Sequence, residues 1–422
     1  MTVIRITIEI TLPEEEMNVN RIEEMVESKI SEAREEIWRR AVEAVEQRAI
    51  AAGGVARQRK RERSILTQGG WVNFSRYVVR DSQGKYYCPA DRVMGLKPRR
   101  RATDGVIRRG CELSAGHSYR TAAGLLEKES RGSISHMALW RWVQKVGEGL
   151  RREADGEREN VFGLGLAPVR APSGPGLVVG EMDGTMIRLQ RRGGHIEAKC
   201  GIVYSRKEQT GRRRWRVADK VTCAAIEPID EFAERWWLAG EKAFRISDAP
   251  RLLLITDGLD IYREAVRDYF PGVVHQLDRW HVHERLHGVV QDEEAESRLK
   301  EWLREGRESK VIKWLAGRTF PGREEKHAEL MNYLRNNSFS LNAVNTIPSH
   351  AAPSSLLRVG SGAVEKTIGV LIAKRFKGQG RSWSAEGAKN LLALCTDRYN
   401  SKYPLKGEQT NPNPKPIPVS LN

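Results

Sequence analysis

No stretch of the chain approaches the roughly 18 consecutive apolar residues that a membrane-spanning helix requires, so no bilayer crossing is expected. The opening residues MTVIRITIEITLPEEE lack the cationic start, apolar middle and small-residue cleavage site of a secretory leader. A cytoplasmic protein with no membrane partner is the expectation. The five cysteines, Cys88, Cys111, Cys200, Cys223 and Cys395, contain no C-x-x-C pair. That argues against a disulfide framework and a structural zinc site. No internal repeat is apparent. A complete phosphate-binding loop is missing too. Gly360–Thr367 reads GSGAVEKT, with Glu365 where G-x-x-x-x-G-K-[ST] needs its second glycine. A carboxylate there would meet phosphates with bulk and like charge, and the preceding HAAPSSLLRVG is short and proline-broken rather than a buried strand.

What the chain has in excess is positive charge. It carries 71 Lys and Arg against 55 Asp and Glu, a formal net charge of +16 over 422 residues. Basic runs recur at Arg57, Arg59, Lys60, Arg61 and Arg63, at Lys97, Arg99, Arg100 and Arg101, and at Arg212, Arg213, Arg214 and Arg216. Tryptophans 71, 140, 142, 215, 280 and 383 lie among or near basic residues. Each phosphate neutralised by such groups releases counterions, so the combination points to a polyanion. The plainer alternative is an ordinary basic surface.

Six regions are expected. Residues 1–65 form an N-terminal helical region, in which Ile22, Met25, Val26, Ile30, Ala33, Ile37 and Ala41 recur at helical spacing. Residues 66–112 form a small β unit with two strands around DSQGK. Residues 113–152 read helix, turn, helix, with Ser133 available to cap the second helix. That helix exposes Arg141, Gln144 and Lys145, a pattern that fits DNA-groove reading and equally a packed helical pair. A Gly/Pro-rich linker is expected at 153–176, then an α/β domain at 177–402 with a helical insertion at about 284–345. The proline-rich 403–422 should be a disordered tail.

Two aspartates in the α/β domain precede glycine. Asp257 ends the buried strand RLLLITDG, where an α/β sheet opens its ligand crevice. Asp183 lies in GEMDGTMI, which also reads as an Asp-Gly hairpin turn. Glu365 opens a helix running to Gly378, with Ser361 as N-cap. There Val364, Ile368, Leu371, Ile372 and Phe376 span an arc of roughly 140°. Glu365 falls inside that arc, which is costly for a carboxylate unless a cation meets it. Three such carboxylates can hold two Mg2+ or Mn2+ ions with positions left open for phosphate oxygens. Lys374, Arg375, Lys377, Arg381 and Trp383 form a candidate DNA-facing set beside Glu365, and Trp383 is placed either to stack on an unpaired base or to join the core. Four histidines, His275, His281, His283 and His287, cluster after the second aspartate without a companion cysteine pair.

Three strands with a first Asp, a fourth with a second Asp and a late helix with Glu resemble the RNase H-like DDE transposases. GAVEKTIGVLIAKRFKGQGRSWSAEGAKNLLAL looks like the C-terminal block of the ISLre-type insertion-sequence group, an uncharacterised transposase-like family, and HQLDRWHVHERL resembles that group's stretch after the second Asp. The resemblance extends over about residues 66 to 400. It implies an RNase H-like mixed-sheet catalytic domain with a helical insertion, and Asp183, Asp257 and Glu365 as the catalytic, metal-binding carboxylates. It also makes Asp278 and His281, in Asp-x-x-His form, accessory active-site residues. The implied partners are the element's own DNA ends and target DNA, with homo-oligomers formed on DNA and a nucleoid location when bound. The alternatives are a transposase-derived DNA-binding regulator without catalysis, and a glycosidase using Asp183 and Asp257. A strongly basic chain disfavours the glycosidase, since neutral sugars need no cationic surface.

Overall fold

The N-terminal third is built around a small sheet. In the computed structural model, which describes residues 3–11, 18–53, 57–191, 193–212, 214–249, 251–348, 353–357 and 360–403, helix α1 (Val19–Gly53) leads into strands β1 (Arg57–Thr67), β2 (Gly70–Arg80) and β3 (Tyr86–Tyr87). These pair antiparallel in the order β1-β2-β3. Strand β1 departs from the expected helical region, because its alternating cations were read only as charge. One of those charges is structural: Arg63 in β1 binds Asp91 at 2.8 Å, and Arg76 in β2 binds the same carboxylate at 2.9 Å. Asp91 lies in the short helix α2 (Pro89–Val93). The second half of α1 packs through Trp38 and Val42 on Ile65, Val72, Phe74 and Ala90, whereas Ile22, Ile30 and Ile37 are exposed.

Helices α3 (Asp104–Gly116), α4 (Tyr119–Ser130) and α5 (His136–Arg158) follow. Ser118 caps α4 by accepting the Thr121 amide at 3.1 Å. Ser135, not Ser133, meets the first turn of α5. Helix α5 does not stop at 152. The run RREADGER consists mostly of good helix formers, so the helix continues into the expected linker and ends in one wide turn at Glu159–Gly163. The division between the chain's two units falls inside α5, at Lys145/Val146.

The second unit is a mixed α/β domain. Strands β4 (Val178–Arg188), β5 (His195–Gly211) and β6 (Arg214–Ala225) form an antiparallel meander. After α6 (Ile229–Phe244), β7 (Leu252–Thr256) pairs parallel with β4. After α7 (Asp260–Tyr269), β8 (Val274–Leu277) pairs parallel with β7. The resulting order is β6-β5-β4-β7-β8. Phe232 and Trp236 of α6 and Tyr262 and Val266 of α7 pack against Val178, Met182, Val203 and Leu254 of the sheet. The insertion comprises α8 (Arg279–Val289), α9 (Glu293–Arg304), α10 (Glu308–Ala316) and α11 (Glu324–Asn336) around Leu286, Leu299, Val311, Leu330 and Leu334.

The chain returns to the sheet through α12 (Gly362–Ile368), a wide turn at Gly369–Ala373, α13 (Lys374–Phe376) and α14 (Ala385–Lys402). Asn400 of α14 fastens to the Thr222 backbone in β6 with two hydrogen bonds, 3.0 and 2.8 Å. Among the described residues no helix is long and apolar enough to cross a membrane. Arg213 lies outside the described residues, and so does the expected tail from Pro404 onward.

Candidate active site

The strand registers build the site. Glu181 of β4 stands opposite Ile255 of β7, and Thr256 of β7 stands opposite Leu277 of β8. Continued to the ends of the strands, the same registers put Asp183, Asp257 and Asp278 in one row across three adjacent parallel strands. The Asp278 amide, donating to the Thr256 carbonyl at 2.8 Å, shows the pairing reaching that far. Neighbouring strands lie about 4.8 Å apart, so the row sets three aspartates on adjacent strands at the C-terminal ends of the parallel part of the sheet.

Asp183 is not in a hairpin turn. Strand β4 runs straight through it, with Asp183 opposite Cys200 and Gly184 opposite Lys199. The glycine leaves room for a side-chain pair: a Cβ at Gly184 would lie 2.4 Å from Glu197 Oε1 and 2.6 Å from the Tyr262 hydroxyl, and so would push apart the 2.8 Å bond between them. Burial pushes the Asp183 carboxyl upward from its ordinary pKa. Nearby Asp257 and Glu365 push the same way, while the Gly184 amide and His281 oppose. Burial also raises Asp257, against the Leu259 amide, His281 and Arg285.

The insertion holds the Asp257 loop. Tyr333 of α11 donates to the Asp257 carbonyl at 2.6 Å, and Asn337 donates to the Gly258 carbonyl at 3.2 Å. Gly258 has φ +79°, where a side chain would be strained and would also strike Leu277. The Arg285 guanidinium lies over the Tyr333 ring, 4.3 Å from its centre. Tyr333, Asn337 and Arg285 escaped the sequence reading, because nothing in their local pattern links them to a strand end elsewhere in the chain.

Asp278 is fully buried and N-caps α8, accepting the Trp280 amide at 3.2 Å. It also accepts the Ser361 amide at 3.2 Å. The Ser361 hydroxyl lies 2.7 Å from both Asp278 Oδ2 and Glu365 Oε1. One hydroxyl proton serves only one of these carboxylates at a time, so the pair leaves a carboxylate oxygen open to a further donor or cation. Among the described residues, Asp278, His281 and Glu365 carry the tightest metal-competent cluster, with ligand atoms all within 4.8 Å of one another. Asp183 and Asp257 are not part of that tight group, although Asp183 feels the charge of Glu365. His281 Nε2 is closed off from solvent, 3.8 Å from Asp278 Oδ2, with no hydrogen-bond partner among the described residues. The other histidines disperse: His275 bonds Thr256 and Ser340, and His287 bonds Glu296 at 2.9 Å.

Glu365 is exposed, not turned toward the core. The wide turn at Gly369–Ala373 holds one residue more than an α-helical turn and rotates Phe376 by about 100° back toward the Val364 face. The buried face is then Val364, Thr367, Ile368, Leu371, Ile372 and Phe376, and Glu365 stands at the mouth.

The candidate DNA-facing set divides. Lys374 and Lys377 are exposed, and Lys377 reaches the Thr185 hydroxyl beside Asp183. Arg381 is exposed but donates to the Lys374 and Arg375 carbonyls at 2.6 and 3.1 Å, closing the end of α13. Arg375 is a correction. It is buried at 5 % exposure and stacks 4.8 Å from the centre of the Trp383 ring, so it is packed inside the domain rather than presented to solvent as expected. Trp383 likewise packs, 5.2 Å from Phe376, and donates its ring N–H to the Phe376 carbonyl at 3.0 Å. In the N-terminal unit Arg141 is exposed, whereas Gln144 and Lys145 are half-buried.

A cavity of about 490 Å³ lies away from the acidic row, between α9, α10 and the loop before α11. Its arginines are engaged: Arg298 with Glu294, Arg318 on the Trp314 ring and Arg323 with the Gly288 carbonyl. The acidic row, open at Glu365, is the stronger candidate.

A mixed α/β domain with carboxylates gathered at its parallel strand ends is thus the class that fold and site define. The chain belongs to the uncharacterised protein family UPF0236, whose signature spans residues 12–410. Over 354 residues it is 23% identical to a "UPF0236 protein in vanSb 3'region" from Streptococcus gallolyticus, a match covering 81% of this chain and 73% of that one.

Proposed function

We propose that this protein is a DNA transposase of the RNase H-like DDE type, which cuts and joins the ends of an insertion sequence. The observation that carries the reading is the in-register row of Asp183, Asp257 and Asp278 with Glu365 brought to it by α12. A mixed sheet of three antiparallel strands continued by two parallel ones supports the same reading. The α4–α5 pair is the candidate helix-turn-helix, reading element ends through Arg141, Gln144 and Lys145.

The donor set fits a hard divalent cation. Carboxylate oxygens dominate it, and burial together with mutual repulsion leaves Asp183 and Asp257 short of positive charge. Two Mg2+ or Mn2+ ions bound by Asp183, Asp257 and Glu365 would supply Lewis-acid charge to the attacking and leaving oxygens of a phosphodiester. The chain's own part is positional. Strand ends fix the two aspartates, α12 presents Glu365 at the open side, and Lys377 and Lys374 border the approach with cations for the DNA backbone. In this reaction water would attack an element-end phosphodiester, breaking its P–O3′ bond to leave a 3′-hydroxyl and a 5′-phosphate, and that hydroxyl would then attack a target phosphodiester, joining to its phosphorus and displacing a target 3′-hydroxyl.

The test uses a supercoiled plasmid carrying the gene with its flanking DNA, incubated with purified protein and Mg2+ or Mn2+. We expect nicks with 3′-hydroxyl ends and joined products from the wild type. Glu365→Gln should reduce both by orders of magnitude, as loss of a unit-acting catalytic group does, while binding of the flanking DNA holds. Specific binding with no cleavage by the wild type would favour a transposase-derived DNA-binding regulator instead.

A further inference from the structure

Glu181 lies two residues before Asp183 on β4 and therefore faces the same side of the sheet. It has no solvent exposure, a setting in which a carboxylate is costly unless hydrogen-bonded. Two donors from different elements meet it. The Tyr204 hydroxyl of β5 donates to Oε1 at 2.7 Å, and the Val364 backbone N–H of α12 donates to Oε2 at 2.9 Å.

The second contact matters more. Helix α12 has only seven residues, and no side chain of its own caps its first turn. The Val364 amide instead finds its acceptor on the sheet, at Glu181, and the Ser361 amide just before the helix bonds Asp278 beyond the end of β8. Glu365 directly follows Val364. An aliphatic side chain at 181 would fill the same space without the desolvation cost, but it would leave the Val364 amide without an acceptor.

We propose that Glu181 is a positioning residue, a buried carboxylate on the central strand that docks the first turn of α12 and thereby sets Glu365 beside Asp183. Sealed within the domain, it touches no reacting atom and acts through the helix. The consequence for metal rests on the two-metal reading above. The docking itself does not.

The experiment compares Glu181→Leu, Glu181→Gln and Tyr204→Phe in the full-length protein, by amide hydrogen exchange and by Mn2+ titration. Leu keeps bulk alone. Gln keeps a carbonyl oxygen for Val364 and an amide for the Tyr204 oxygen. Tyr204→Phe leaves the Val364 contact in place. We expect exchange across Gly362–Ile368 to quicken about tenfold or more in Glu181→Leu, with the rest of the sheet unchanged. Mn2+ affinity should fall about 10- to 100-fold, the usual effect of losing a group that orients a ligand. Glu181→Gln and Tyr204→Phe should stay close to wild type in both measurements. Unchanged α12 exchange in Glu181→Leu, or a uniform rise over the whole domain, overturns the proposal. Should the leucine variant not fold, Glu181→Gln still decides, because a hundredfold loss of Mn2+ affinity there would mean that charge, not docking, is what matters. If the wild type binds no Mn2+, the two-metal reading fails while the exchange pattern still judges Glu181.

Discussion

Asp183 and Asp257 are carboxylates held in an unfavourable setting, and the sign of that strain makes a prediction. Burial, with neighbouring carboxylates adding to it, raises both pKa values in the folded chain. A carboxyl whose folded pKa exceeds its unfolded value stabilises the fold below the unfolded pKa, and that contribution is lost as pH rises through the folded value. The metal-free protein therefore carries a penalty at neutral pH that it lacks under acid conditions. Asp183→Asn should raise the melting temperature of the metal-free protein at pH 7, because the amide removes a buried, crowded charge. Mn2+ or Mg2+ should stabilise the wild type at pH 7 by about 2.7 kcal/mol at a hundredfold excess over its dissociation constant, and far less near pH 4. A thermal melt at both pH values, with and without metal, checks both points. Equal stabilisation of wild type and Asp183→Asn by metal would place the cation elsewhere.

At the scale of elements, the insertion is more than a spacer between β8 and α12. Tyr333 and Asn337, at the end of α11, hold the backbone of the Asp257–Gly258 loop from outside the sheet. Removing the Tyr333 hydroxyl leaves the Asp257 carbonyl without that donor while the ring still packs. We predict that Tyr333→Phe lowers strand cleavage about tenfold, as misplacement of a catalytic group by a fraction of an ångström does, and leaves DNA affinity unchanged. Cleavage rate and binding measured on the same preparation separate the two effects. Arg381 and Trp383 show a comparable division of labour after Glu365. In sequence Arg381 read as a DNA contact and Trp383 as either a base-stacking or a core ring, yet Arg381 closes a helix end and Trp383 packs beside Phe376.

For the whole molecule, the net charge of +16 predicts salt-sensitive binding to DNA, and the two units should contribute to it differently. Arg141→Ala, in the helix pair of the N-terminal unit, should reduce discrimination between flanking and random DNA by about 1–3 kcal/mol. Lys374→Ala, on the exposed side of α13, should weaken both DNAs alike and lower the salt slope by roughly one. Binding titrations of each variant over a range of salt concentrations measure both quantities. An unchanged affinity ratio for Arg141→Ala would make α4 and α5 a packing unit and move recognition to another part of the chain.

The sequence by itself determined the core strands and helices of the α/β sheet to within a few residues, since CGIVYS and LLLIT are apolar runs and α6 and α7 carry their apolar stripes openly, whereas the continuation of α5 and the separate helices of the insertion were not marked. It also marked Asp257 as a strand-end carboxylate. Strand β1 was hidden, because five cations in a row of seven residues look like surface charge until Asp91 is seen to bind Arg63. What only the tertiary structure decided is which residues meet. Register between strands far apart in the chain puts Asp183, Asp257 and Asp278 in one row, and no local pattern encodes a parallel register. A single extra residue in the turn after α12 decides that Glu365 faces outward, and the burial of Arg375 follows from the same packing. Glu181 looked like one more acid in GEMDG. Its partners Tyr204 and Val364 belong to a neighbouring strand and a late helix, and long-range contacts of that kind exist only once the chain has folded.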